Sequence, residues 1–313
     1  MTDRVEQLRD DILRAPAALE RLFGAYASPD SPLATVSAAL PPERRFAFAG
    51  LGSSRYAGLL AASELRAAGE SAWVEYASTG RPTAPAADLV FVAISASGRT
   101  AEVVAAARRH RGRSVVVAMT NDPDSALGAE ADHVLPLHAD PEGAGIATRT
   151  FRATVAVLAM LGGRPPASLV STVAELAVAT ESAEPWVTAT ADALDGASAI
   201  DVLADAGTLG LAHQAALMLR EAPRLPAVAH DTGDWLHTAV YLAIPGHRVL
   251  LFPGAFADAE VNATVERRGG MVLPVPQVST GAGTDVFRRA IVESVTVELL
   301  ATELWRRTTA QEP

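Results

Sequence analysis

The stretch Asp88-Leu89-Val90-Phe91-Val92-Ala93-Ile94-Ser95-Ala96-Ser97-Gly98-Arg99-Thr100 decides how the chain is read. Its unbroken apolar run, Leu89–Ile94, has the length and texture of a strand covered on both faces, as in a parallel sheet. The following residues, Ala101–His110, repeat at helical spacing, so Ser95–Thr100 is a strand-to-helix loop. Three hydroxyls and a glycine there suit an oxyanion. The first N–H groups of a helix have no intrahelical acceptor, the helix dipole favours negative charge, and glycine lets the main chain come close. An ordinary N-cap is the competing reading, because Ser and Thr cap helices routinely. One cap needs one hydroxyl, and this loop holds three.

Working outward, short apolar runs alternate with helical patterns. Strands are predicted at Phe46–Leu51, Ala72–Tyr76, Leu89–Ile94, Ser114–Met119 and His133–Leu137, and helices at Ser54–Ala68, Thr100–His110 and Thr148–Leu161. That order predicts a layered α/β unit with a mainly parallel sheet. Before it, Val5, Leu8, Ile12, Leu13, Leu19 and Leu22 mark an amphipathic helix interrupted at Pro16, then a turn at Ser28–Pro32. After Gly162–Pro166, residues Ala167–Ala193 read as a helical bridge, and a second cycle opens at Ile200 and closes with a helix at Phe287–Arg307. A shift of 155 positions lays Ala204, Gly207, Thr208 and Ala212 on Ala49, Gly52, Ser53 and Ala57, which favours duplication. The expected organisation is a helical lead-in at 1–30, one α/β domain at 31–165, a connector at 166–194 and a second α/β domain at 195–313.

Composition narrows the function. The 313 residues carry 26 Lys+Arg against 36 Asp+Glu, a net charge of −10, which disfavours nucleic acid as the partner. Every one of those cations is Arg, and cysteine is absent, so this chain has no Schiff-base lysine, no Walker-type lysine, no thiol nucleophile and no thiolate metal site. The segment MTDRVEQLRDDILRAP lacks an apolar signal core, and uncharged runs such as Ala153–Gly163 fall short of a membrane span. A cytoplasmic location and no membrane partner are the expectations.

A second loop, Gly50-Leu51-Gly52-Ser53-Ser54-Arg55-Tyr56-Ala57, has the same strand-to-helix placement. With Glu75 about 20 residues on, it invites a dinucleotide reading. Arg55 occupies the place of the third small residue, and its bulk opposes close helix–strand packing, so Ser53 and Ser54 fit better as a second wall of hydroxyls.

Gly50–Ala57, Trp73–Ser78, Ile94–Thr100, Thr120–Leu127, Ala131–His133 and Glu142–Phe151, in this order, resemble the sugar isomerase (SIS) domain family. The similarity extends to its tandem members, the isomerase portion of glutamine–fructose-6-phosphate aminotransferase and the stand-alone phosphosugar isomerases and deaminases. The resemblance implies two three-layer, flavodoxin-like α/β units with mainly parallel sheets. It implies a sugar phosphate held by Ser95, Ser97, Gly98 and Thr100, with Ser53 and Ser54 close to the sugar. It also implies Glu221 as the proton-transfer base and His237, sixteen residues later, as the ring-opening group lent by the partner in a homodimer. No cofactor or metal is implied. Chemistry supports these roles independently, because moving a hydrogen through an enediol suits a carboxylate raised towards neutrality, and ring opening suits an imidazole. Taken alone, a Glu at a helix end is usually solvated and a lone His structural.

The chain also departs from the family pattern. Met218 and Glu293 stand where the isomerases carry lysines, Ala147 replaces a serine, and Thr79-Gly80 replaces a glutamate. A carboxylate near a sugar oxyanion would repel it unless protonated or displaced. Aligning Ala101-Glu102-Val103 with Ala259-Glu260-Val261 puts Pro253 and Ala255 at the places of Ser95 and Ser97, so one phosphate loop per chain is expected. His230, Asp231 and Asp234 either orient His237 or form a plain polar loop. A phosphosugar-binding sensor without catalysis is the alternative to an isomerase or deaminase. No helix-turn-helix extension accompanies it.

Overall fold

A computed structural model describes residues 2–277 and 285–311. In chain order the helices are α1 Thr2–Leu13, α2 Ala15–Tyr26, α3 Pro32–Ala39, α4 Ser53–Ala67, α5 Ala101–His110, α6 Arg149–Leu161, α7 Ser171–Ser182, α8 Glu184–Leu194, α9 Leu209–Glu221, α10 Thr232–His237, α11 Asp258–Arg267 and α12 Val286–Gln311. The strands are β1 Arg45–Gly50, β2 Ser71–Tyr76, β3 Leu89–Ile94, β4 Val115–Thr120, β5 His133–Pro136, β6 Ala199–Ala204, β7 Ala227–Asp231, β8 His247–Leu251 and β9 Met271–Pro274.

They form two all-parallel sheets, ordered β2-β1-β3-β4-β5 and β7-β6-β8-β9. Two compact units result. The first comprises Ala15–Pro141 with Arg149–Val173, and the second comprises the residues up to Arg14, Glu142–Thr148 and those from Ala174 onward.

In the first unit every residue of β3 is buried, as its continuous apolar run requires of a central strand covered on both faces. Phe91, Ala93, Val103, Ala106 and Ala107 belong to the core between the sheet and α5. Gly58 of α4 lies where a Cβ would sit 3.1 Å from the Phe48 Cβ, which brings that helix close to the other face. In both sheets the chain turns back beside its first strand, between β1 and β3 and between β6 and β8. Loops leaving the carboxyl ends of those neighbours diverge and open a crevice, the usual binding position in open parallel sheets.

Boundaries differ from the sequence reading where proline acts. Pro16 falls at the second position of α2, where its missing N–H costs nothing, so the lead-in is two helices separated at Arg14. Pro32 starts α3 in the same way, a helix hidden by the Ser28–Pro32 turn signal. The bridge read at Ala167–Ala193 is a short 3₁₀ turn at Pro166–Ser168 followed by α7 and α8, interrupted at Ala183 just before Glu184-Pro185.

Candidate functional site

Ser95–Thr100 leaves the carboxyl end of β3 in the first unit's crevice. Ser95 is buried, Ser97 is exposed and Thr100 is half-buried. The loop is drawn against the chain after β4. Ser95 N–H donates to the Met119 carbonyl (3.0 Å), Asn121 N–H to Ala96 (2.9 Å) and Leu127 N–H to Gly98 (2.9 Å). The carbonyls of Ala96 and Gly98 are thereby used on the inner side, and the first amides of α5 have no acceptor within the helix. Thr100 is the N-cap residue, yet its side chain makes no capping bond; its Oγ1 instead shares a 2.9 Å hydrogen bond with the Ser95 Oγ. The N-cap reading therefore accounts for the position of Thr100 but not for its hydroxyl. Ser97 Oγ accepts from the Arg99 N–H at 3.2 Å.

Gly98 has φ +63°, and a Cβ there would fall 1.9 Å from the Ser125 Oγ. The position thus tolerates only glycine on both conformational and steric grounds. Across the crevice, β1 pairs with β3 up to Ala49↔Ala93, which places the turn of Gly50–Ser54 beside the loop. Gly50 is needed because a Cβ would come 2.9 Å from the Ser54 Cβ, and Gly52 turns the chain at φ +52° into α4. Ser53 and Ser54 are half-buried in the first turn of that helix. The acid of the dinucleotide reading, Glu75, accepts through Oε2 from both the N–H and the Oγ1 of Thr83, while its Oε1 is buried without a partner.

The second unit carries the other two candidates. Glu221 ends α9 with an accessible side chain, yet desolvation by its surroundings pushes its carboxyl up, opposed by the Arg220 charge. His237 ends α10 and is exposed. Two of the three polar neighbours, Asp231 and His230, have other partners. Asp231 is the N-cap of α10, accepting from the Asp234 N–H at 2.8 Å, and His230 lies 3.4 Å from the Asp201 carboxylate. Helix α10 is anchored instead by Trp235, fully buried, whose indole donates to the Asp201 Oδ2 at 2.7 Å. His247 meets the same oxygen at 3.0 Å. Burial would raise the Asp201 carboxyl, but its bonds to His230, His247 and Trp235 outweigh that and hold it well below the usual carboxylate range.

The loop that aligns with Ser95–Thr100 is closed from within. Asp258, at the place of Thr100, accepts through its Oδ2 from the N–H groups of Gly254 (2.7 Å) and Ala255 (3.1 Å). A carboxylate of the chain thus occupies amides of the kind an anion would use. Arg289 donates to the Pro253 carbonyl of this loop and pairs with Glu293, both side chains being buried. Glu293 is therefore not a bare carboxylate, although burial pushes its carboxyl up against the pull of Arg289.

The sequence reading passed over Asp201, Asp258 and Arg289. Asp201 had a signal, since it is the lone acid in the apolar strand Ala199-Ile200-Asp201-Val202-Leu203-Ala204, and a buried charge requires partners.

Comparison with known proteins agrees with this architecture. The SIS domain family matches residues 39–162. Glutamine–fructose-6-phosphate aminotransferase of Aeropyrum pernix is 30% identical over 303 residues, covering 89% of this chain and 49% of that protein. Its counterpart from Symbiobacterium thermophilum is 33% identical over 221 residues, covering 65% of this chain and 36% of that protein. The chain therefore spans about half or less of the length of these relatives. Among solved structures, tagatose-6-phosphate ketose/aldose isomerase from Escherichia coli superposes with a TM-score of 0.80 at 15% identity, covering 98% of this chain and 94% of that one. Glucosamine-6-phosphate deaminase from Thermotoga maritima gives 0.77 at 16%, covering 96% and 95%. At these identities the likeness establishes the fold. With its five-stranded parallel sheet and the match over residues 39–162, this part of the chain is a domain of the SIS family.

Proposed function

We propose that the chain binds a sugar phosphate and interconverts it as an aldose–ketose isomerase, or as an amino-sugar phosphate isomerase or deaminase, through an enediol or enediolamine. The observation that carries this reading is the contrast between two equivalent loops. Ser95–Thr100 carries three hydroxyls ahead of a helix whose first amides lack an intrahelical acceptor, whereas the loop at Pro253–Asp258 engages two of its amides with the Asp258 carboxylate. In this reading Ser95, Ser97, Gly98 and Thr100 hold the phosphate, and Ser53 and Ser54 hydrogen-bond the sugar. The phosphate acts as a handle whose binding energy orients the reacting carbons. Glu221 takes the proton from one carbon and returns it to its neighbour, a role aided by the upward push on its carboxyl. His237 moves the proton that opens the ring. A homodimer in which the histidine serves the partner, and a cytoplasmic location, belong to the same proposal. Among the described residues no helix is long and apolar enough to cross a membrane.

A binding-only sensor is the second reading, favoured by Met218 and Glu293. The first is 1% exposed and the second is committed to Arg289, so neither position supplies a free cation. One experiment separates the two readings. Incubation with hexose and hexosamine 6-phosphates in deuterium oxide should place deuterium at C1 or C2 of an accepted substrate, and Glu221→Gln should abolish the exchange. Tight binding with no exchange supports the sensor, and no binding of any sugar phosphate overturns both.

A further inference from the structure

Arg55 stands in the first turn of α4, next to Ser53 and Ser54. Its guanidinium carbon lies 3.8 Å from the centroid of the Tyr76 ring and 6.0 Å from that of Tyr56. Its Nε is buried without a hydrogen-bond partner, and no described carboxylate pairs with it. The acid adjacent to Tyr76 in sequence, Glu75, belongs to the opposite face of β2. Val74, two residues before Tyr76 and on its face, packs towards α4; the Glu75 Oε2 accepts from Thr83, and its Oε1 is buried without a partner. A lone cation is thus clamped on an aromatic ring at the amino end of a helix, where the dipole is already positive. The ring attracts the cation, and with no described carboxylate beside it the positive charge and the helix dipole together favour an anion there.

The phosphate loop does not supply that anion's place. Tyr76 ends β2, in register with Gly50, while Ser95 follows β3 on the other side of β1. Two strand spacings separate them, roughly 10 Å. A phosphate held at Ser95–Thr100 therefore leaves Arg55 for a second negative group at the far end of an extended six-carbon sugar, with Ser53 and Ser54 along the way. Arginine fixed by a ring presents its fork for two parallel bonds to a planar carboxylate.

We propose that Arg55 is a carboxylate-binding specificity residue, and that the substrate is a phosphosugar bearing a carboxylate at the end remote from its phosphate. The proposal rests on the phosphosugar reading given above. It is tested by calorimetry with two ligands that differ only in charge, the 6-phosphates of N-(1-deoxyfructos-1-yl)glycine and of its glycinamide counterpart. The wild type should bind the carboxylate ligand at least tenfold more tightly than the amide. The ratio should fall to near one in Arg55→Met and lie between in Arg55→Lys, with thermal unfolding used to confirm that both variants are folded. Equal affinities in the wild type, or a ratio unchanged in Arg55→Met, overturn the role of Arg55 while leaving the phosphate site standing. Failure of the wild type to bind either ligand overturns this proposal, and the phosphate reading falls with it only if hexose and hexosamine 6-phosphates, titrated in parallel, do not bind either.

Discussion

The indole of Trp235 donates a 2.7 Å hydrogen bond to the carboxylate of Asp201, and both side chains are buried. This bond fixes the six-residue helix that ends in His237 to the central strand of the second sheet. Removing the carboxylate in Asp201→Ala orphans the indole N–H and the His247 ring at once, and should lower stability by about 3 kcal/mol or more in urea unfolding. Asp201→Asn keeps a carbonyl acceptor for the indole and should cost roughly half as much. Equal losses in the two variants would show that the bond to Trp235 carries none of the anchoring.

Gly98 makes the Ser95–Thr100 loop possible through its left-handed φ of +63° and its close approach to Ser125. Gly98→Ala forces both a backbone cost of roughly 1–2 kcal/mol and a clash with the Ser125 side chain. Sugar-phosphate affinity by calorimetry should drop at least tenfold. Adding Ser125→Gly removes the clash but not the backbone cost, so the double variant should recover part of the loss. Full recovery would mean that the left-handed turn is dispensable.

Much of this was legible in sequence because the determinants are local. The run Leu89–Ile94 followed by Ser95–Thr100 specifies a strand and the loop into the next helix within twelve residues, and the structure places them so, with α5 beginning one residue later than expected. What escaped depends on partners far apart in the chain. Asp201 is joined to residues 34 and 46 positions away, and Arg289 reaches a carbonyl 36 positions away, separations over which periodicity carries no information. The replacement of a lysine by Glu293 read as an isolated reversal of charge. Arg289, one turn earlier on α12, neutralises it.

Asp258 makes a further prediction about stoichiometry. Its carboxylate accepts from the amides of Gly254 and Ala255, so the second loop holds no open anion site in the wild type. Calorimetry should return one phosphosugar per chain, and Ser97→Ala with Thr100→Ala should abolish that binding altogether. Asp258→Ala should cost about 1–3 kcal/mol of stability by leaving two amides without their charged acceptor. Two sites per chain in the wild type would refute the closure of this loop.

His110 sets a pH dependence for the first unit. Its ring is fully buried, stacks on Phe91 at 3.9 Å between centroids, and meets the Ser114 Oγ at 3.1 Å. Burial, with the charges of Arg109 and Arg113, pushes its pKa down from 6.5 to about 4. The unfolded chain therefore takes up this proton as pH falls through 6.5, while the folded chain refuses it until about pH 4. Stability is full above that window and declines through it, by up to about 3 kcal/mol for a shift of this size. His110→Phe removes the titrating group and leaves Ser114 bonded to the Ala86 N–H. The stability of His110→Phe relative to wild type, from urea unfolding at pH 7 and pH 4, should thus rise by up to that amount at the lower pH. A difference that does not change between the two pH values would rule out a buried neutral imidazole at this position.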